Sequence, residues 1–112
     1  MKDRLFNCPV EAIISLIGGK YKPIILWYLL DDTLRFNELQ KRLPQATPKM
    51  LSQQLKELQQ DGFIEKVIYP EVPPKTEYYI TDYGKTLETI LNEMCNWGET
   101  YMGDYIVKNS NQ

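Results

Sequence analysis

The chain has 112 residues, of which 43% are hydrophobic and 25% are charged, and this composition predicts one globular domain and excludes disordered and collagen-like classes. The absence of histidine excludes Ser-His-Asp and Cys-His catalysis and the common histidine-containing zinc sites. The net charge of −2 argues by itself against nucleic-acid binding, but residues 1–60 carry nine Lys/Arg against six Asp/Glu, whereas residues 61–112 carry four against nine.

The cellular location is predicted from the short apolar runs, the N-terminal sequence and the two cysteines. The longest apolar run, residues 24–30, is far below the ~18 residues that a bilayer span requires. The N-terminus has no signal-peptide pattern, and two cysteines make no disulfide framework. We therefore expect a cytoplasmic protein without membrane contact, metal site or cofactor.

Residues 8–30 are predicted to form two helices. Cys8-Pro9 opens the first, because proline suits the first helical turn, and Gly18-Gly19 ends it. The second helix, residues 20–30, is apolar on nearly all sides, which indicates a central position in the core. A very short strand is expected at residues 34–36.

Residues 37–60 predict a helix-turn-helix. A short helix over residues 37–43 is closed by Pro44, and Thr47-Pro48 gives the strongest helix start in the chain. The helix that begins there is expected to end near Gln60, before Asp61-Gly62.

A hairpin and one long helix complete the predicted fold. Two β-branched and aromatic segments around a proline-rich tip predict a hairpin over residues 64–80. Thr81 is expected to cap a single helix over residues 82–107. The fold class is thus α+β and mostly helical, with the whole chain, residues 1–112, in one domain.

The helix of residues 48–60 separates apolar and polar side chains. Leu51, Leu55 and Leu58 form one core stripe, and lysines and glutamines lie on the opposite face. An ordinary solvated face is the simple interpretation of that pattern. Between Arg35 and Lys56, however, five cations stand against one acid, Glu38, which favours a DNA-recognition helix. The five cations are Arg35, Lys41, Arg42, Lys49 and Lys56.

The hairpin carries lysines at its strands. Lys75 follows Pro73-Pro74, where it could contact a phosphate or the minor groove. Alone the segment is an ordinary surface turn, but directly after a helix-turn-helix it is typical of a wing.

These segments resemble the HxlR-type family of winged helix-turn-helix regulators, relatives of the MarR type. The resemblance covers residues 8–98 in order and without large insertions. The matching stretches are CPVEAIISLIGGKYKPIILWYL, LRFNELQKRLP, TPKMLSQQLKELQQDGFI, YPEVPPKTEYYITDYGKTL and MCNWG.

The resemblance implies a bacterial or archaeal homodimer that binds double-stranded DNA at an inverted-repeat operator. Repression is the usual expectation for such a small regulator. The predicted DNA contacts are Arg35, Thr47, Lys49, Ser52, Gln53, Lys56 and Lys75. The first and last helices are expected to form the dimer interface, through Met94, Trp97 and Tyr101. The alternative is a long helix that packs wholly on its own core.

Cys8 is the candidate redox sensor. A helix N-terminus stabilises a thiolate, and some members of the resembled family sense oxidants or electrophiles through a cysteine at this position. A small buried hydrophobe is an equally weighted interpretation. Cys95 is expected in the core, although a disulfide between Cys8 and Cys95 of two subunits stays open. A small-molecule pocket lined by Tyr21, Trp27, Tyr28 and Phe36 is a further alternative.

Three function classes remain at this point. The first is a dimeric transcription regulator controlled by a thiol or a small molecule, or constitutive. The second is a thiol peroxidase using Cys8, which the lack of histidine and of a CxxC motif disfavours, so we do not expect an enzyme. The third is a winged-helix protein-interaction module without DNA contact.

Overall fold

Two N-terminal helices begin the fold in the computed structural model, which describes residues 5–107. Helix α1, Pro9–Ile17, starts after extended Cys8 and ends at Gly18, whose N–H donates to the Ile14 carbonyl. Helix α2, Lys22–Leu29, buries Ile25, Leu26 and Leu29 almost completely, which confirms its predicted central position.

A short strand and two helices follow. They are β1, Leu34–Arg35; α3, Phe36–Arg42; and α4, Pro48–Gln60. The Thr47 hydroxyl accepts a hydrogen bond from the Met50 N–H at 3.1 Å, so the predicted cap of α4 is present. Gly62, at φ +83°, turns the chain out of α4 in a conformation that suits glycine.

The hairpin forms an antiparallel sheet with β1. Strand β2, Ile64–Tyr69, pairs with β3, Lys75–Ile80, and β3 lies in the centre, in the order β1-β3-β2. Its register sets Ile64 opposite Ile80 and Tyr69 opposite Lys75. The combination of helices and a small sheet confirms the predicted winged helix-turn-helix.

The predicted single helix over residues 82–107 is wrong. The chain instead forms α5, Asp82–Lys85, then α6, Glu88–Met102, and a 3₁₀ turn, Gly103–Tyr105. After α5 the backbone bonds tighten, with Thr86 N–H donating to Tyr83 and Leu87 N–H to Gly84, both three residues back. This tight turn separates α5, which packs on the hairpin, from α6, which buries Leu91 in the core. A helix over residues 82–107 would have about seven turns, whereas α6 has about four.

The core lies between α2, α3, α4 and the sheet. Its fully buried side chains come from each of these elements and from Phe63 before β2. The outer parts of the predicted domain, residues 1–4 and 108–112, lie outside the described residues.

Candidate nucleic-acid interface

The outer face of α4 carries cations and amides. Leu51, Leu55 and Leu58 are at most 1% exposed, so their burial turns the opposite side of the helix to solvent. The exposed side chains there include Lys49, Ser52, Gln53 and Lys56. Neither lysine pairs with an acidic side chain of the described residues. The surface therefore offers free cations and hydrogen-bonding groups on one helix.

The turn before α4 is held by buried polar contacts. The Gln40 amide nitrogen donates to the Ala46 carbonyl at 2.7 Å, and the Tyr21 hydroxyl donates to the Gln45 carbonyl at 3.3 Å. These two hydrogen bonds therefore connect the turn before α4 to α3 and to Tyr21 at the start of α2.

Gln53 is connected to the interior through Glu57. Its Nε2 donates to Glu57 Oε2 at 2.7 Å, and Lys22 Nζ lies 2.6 Å from Glu57 Oε1. The hydrogen bond from Gln53 and then the Lys22 ammonium lower the pKa of Glu57 below its ordinary 4.5, which keeps this carboxyl ionised at neutral pH. Sequence reasoning missed both partners. The four-residue spacing of Gln53 and Glu57 could have indicated the first contact, but no sequence signal brings Lys22 to α4.

Arg35 and Lys75 both line a cleft of about 430 Å³ at the base of the wing tip. Arg35 is exposed at the start of α3, where its backbone N–H donates to Glu38 Oε1 at 2.8 Å. Lys75 is partly covered, because its Nζ lies 3.4 Å from Glu77 Oε2 and 5.1 Å from the Tyr69 ring centroid. The Glu77 hydrogen bond raises the pKa of Tyr69.

The two cysteines have different surroundings. Cys8 is exposed at the N-terminus of α1 in the single chain, and Glu11 in the next turn accepts a hydrogen bond from the Asn7 N–H. Cys95 on α6 is partly buried, and this burial, followed by the charge of Glu99, raises the pKa of its thiol. Cys8 is therefore the more exposed of the two cysteines, and Cys95, whose Sγ lies 3.7 Å from Glu99 Oε1, is only partly buried and is not in the core as predicted.

An apolar surface on α6 is left uncovered. Met94, Trp97 and Tyr101 are 51%, 58% and 68% exposed, and the rings of Trp97 and Tyr101 lie 4.9 Å apart. On α1, Val10 and Ile14 are also exposed. Leu87 and Leu91 alone anchor this part of the chain in the core, so the alternative of a helix packed wholly on its own core is wrong for the C-terminal half of α6.

The cavities found within residues 5–107 do not bring together the four aromatic residues of the pocket alternative. Tyr21 is core, Phe36 lines the wing cleft, and the Tyr28 ring lies 5.2 Å from the Arg42 guanidinium carbon. Trp27 lines a separate apolar cavity of about 230 Å³ between α2 and α6. The other lining residues of that cavity are Pro23, Ile24, Leu91, Met94 and Cys95.

Two further properties concern the described residues only. Every helix within residues 5–107 is too short or too polar to span a bilayer. In the same part of the chain, no three Cys, Asp or Glu side chains gather where they could hold a metal ion.

The model of the HxlR-like helix-turn-helix family matches residues 16–105 of this sequence. The chain belongs to the HxlR-like helix-turn-helix family. The uncharacterized HTH-type transcriptional regulator YdeP of Bacillus subtilis is 48% identical to this HxlR-like chain over 99 residues, which cover 88% of the chain and 77% of the relative. The family and its curated relatives establish a DNA-binding transcriptional regulator.

Solved structures agree with this family. The redox regulator HypR in its oxidized form is 45% identical and superposes with a TM-score of 0.80, covering 83% of this HxlR-like chain and 96% of HypR. The reduced form of the regulator YodB from B. subtilis is 34% identical, with a TM-score of 0.72 over 86% of this chain and 95% of YodB.

Proposed function

We propose that this regulator is a homodimeric repressor that binds an inverted-repeat operator. In the proposed complex, α4 enters the major groove and its Lys49, Ser52, Gln53 and Lys56 contact base edges or phosphates. Arg35, Thr47 and Lys75 contact the DNA backbone beside it. The observation that carries the proposal is the exposed face of α4, where two lysines that pair with no acid of residues 5–107 lie among hydrogen-bonding side chains.

The dimer is supported by the apolar surface of α6. Exposed Met94, Trp97 and Tyr101 form a patch that a second copy would cover, with the exposed apolar residues of α1 beside it. In a two-fold symmetric dimer whose two copies of α4 enter successive major grooves, these helices lie one DNA turn apart, about 34 Å, and the site they bind is an inverted repeat. A dimer seated on such a site excludes other proteins from the same DNA in the cytoplasm, so repression is the mode of action that we propose.

The signal is proposed to be an oxidant or electrophile that modifies Cys8. Two observations support this assignment: Cys8 is exposed at a helix N-terminus, and HypR, with 45% identity, is a redox regulator. A change beside α1 would alter the dimer contact and thereby the spacing of the two copies of α4. The second candidate signal is a small apolar molecule, favoured by the cavity between α2 and α6.

The test is fluorescence anisotropy on DNA from immediately upstream of the protein's own gene, with scrambled DNA as competitor. The reduced protein is expected to bind selectively and with strong salt dependence, and diamide is expected to change its affinity. Cys8→Ser is expected to remove the diamide response, whereas the matched Cys95→Ser variant keeps it. Selective binding that is indifferent to diamide contradicts the thiol signal and moves the search to the α2–α6 cavity. Binding with a flat salt dependence contradicts DNA as the partner.

A further inference from the structure

Lys22 is a buried cation that needs a partner. Its side chain is 10% exposed, and it is the one charged residue buried within residues 5–107. A buried ammonium is costly unless an opposite charge neutralises it. That charge is the Glu57 carboxylate at 2.6 Å, which lies on α4 whereas Lys22 begins α2. The ion pair therefore fixes a carboxylate on the recognition helix from the protein interior.

The second oxygen of this carboxylate binds a side chain on the exposed face of α4. Glu57 Oε2 accepts the hydrogen bond from Gln53 Nε2 at 2.7 Å, one helical turn away. Gln53 itself is exposed. The Gln53 side chain, which would otherwise sample several rotamers, is thus connected through Glu57 to the buried Lys22.

The ionised carboxylate also determines which way the amide of Gln53 faces. A carboxylate only accepts hydrogen bonds, so the amide nitrogen must turn toward Glu57 and the carbonyl oxygen away from it. The groups that remain free are the carbonyl oxygen and the second N–H, one acceptor and one donor. Adenine presents the complementary pair, its N6 amino group and N7, in the major groove, whereas guanine presents two acceptors.

We propose that Glu57, anchored by Lys22, is a positioning residue that orients the Gln53 amide for adenine. This inference rests on the proposed contact of Gln53 with bases. It adds a structural reason why Gln53 would prefer adenine. The competing explanation is that Glu57 only neutralises Lys22 and has no influence on the sequence that is bound.

The experiment begins with a selection from a pool of random duplexes by the wild-type protein. The affinity for the selected duplex is then compared with that for duplexes in which each adenine is replaced in turn. Gln53→Ala is expected to lose the preference for adenine at one or two positions. Glu57→Ala is expected to lose about three- to tenfold in discrimination at the same positions, because the amide is no longer immobilised before binding. In the Gln53→Ala background, Glu57→Ala is expected to change the discrimination no further.

Two controls separate positioning from charge and from stability. Glu71→Gln removes an exposed acid from the wing tip and is expected to change the affinity for all duplexes by one common factor. Since Glu57→Ala leaves Lys22 buried and unpaired, the double variant Lys22→Met, Glu57→Leu removes both charges together. Circular dichroism checks that it is folded, and it is expected to reproduce the loss of adenine discrimination.

The outcomes distinguish the proposed base contact of Gln53 from the proposed positioning role of Glu57. If the wild type selects no sequence, or if Gln53→Ala keeps every preference, the proposed base contact is wrong and the positioning role falls with it. If Gln53→Ala relaxes the adenine positions but both Glu57 variants retain them, the positioning role is wrong and the proposed function stands.

Discussion

Lys75, which is proposed to contact DNA, already has partners within the free protein. Its ammonium group lies between the Glu77 carboxylate and the face of the Tyr69 ring. These partners are on the two strands that the tip connects, so they hold the lysine at the base of the wing. A phosphate would replace Glu77 as its partner, at the cost of one partly exposed ion pair that contributes little.

Lys75→Ala is expected to weaken binding to all DNA sequences alike and to reduce the salt slope by about one, because the lost contact goes to phosphate and not to a base. The measurement is anisotropy against salt concentration with selected and scrambled duplexes. The matched control is Lys85→Ala, since Lys85 is exposed beside Asp31 and Asp32 on a different surface. A loss confined to the selected duplex would show that Lys75 contacts a base.

The exposure and the capping role of single residues could be predicted from sequence where helical periodicity or a helix-start pattern determines them. The outward face of α4 followed from Leu51, Leu55 and Leu58, and the Thr47 cap from the residue type before Pro48. The coupling of Lys22 to Glu57 could not be predicted, because it depends on how α2 and α4 dock. That docking is a property of the tertiary structure and leaves no local pattern.

The short helix α5 connects the hairpin to α6 by close packing at Gly84. A Cβ atom at this position would lie 2.2 Å from the Phe63 carbonyl oxygen, which is backbone and cannot move aside cheaply. The Thr81 hydroxyl accepts from the Gly84 N–H and donates to the Gly62 carbonyl, which locks the same junction.

Gly84→Ala is therefore expected to lower the free energy of unfolding by about 3 kcal/mol, the upper part of the usual range for overpacking. Urea unfolding followed by circular dichroism measures this change. Gly103→Ala is the matched control, because Gly103 has helical dihedral angles and a Cβ there meets nothing within 4 Å. Equal stabilities of the two variants would contradict the packing of α5 against Phe63.

The turn at Thr86 and Leu87 explains why one long helix was predicted from sequence. Apolar residues continue at helical spacing from Tyr83 to Leu91, and no proline interrupts them. Periodicity detects which face is apolar, but it does not detect a change to bonds three residues apart. The element types of the first half could be predicted because caps, prolines and glycines mark their ends.

The oligomeric state of the protein depends on whether a second copy covers the apolar surface of α6. Trp97→Ala is expected to cost at least about 2 kcal/mol of association free energy, because a large aromatic in the centre of an interface dominates its binding energy. Sedimentation equilibrium over a concentration series is then expected to show dissociation to the 13.2 kDa chain at concentrations about 30-fold higher than for the wild type. DNA affinity is expected to fall with it, since a single α4 binds only half of the operator.

The control for this variant is Ile68→Ala. Ile68 on the wing is 62% exposed, similar to Trp97, but it lies away from α1 and α6. It is expected to leave the mass of the dimer unchanged. A Trp97→Ala protein that keeps the mass of the wild type would overturn the proposed interface.

The acidic residues of α6 and the cationic face of α4 put charges of opposite sign on different helices. Glu88, Glu93 and Glu99 lie on the C-terminal helix, whereas Lys49 and Lys56 project from α4. We expect the negative field of DNA to attract the α4 face and to repel α6, so that α4 approaches first. The association rate is therefore expected to rise at low ionic strength even though the net charge of the chain has the same sign as that of DNA. For an acidic regulator of this kind, the distribution of charge over the surface determines how fast it associates with DNA, and the net charge alone does not.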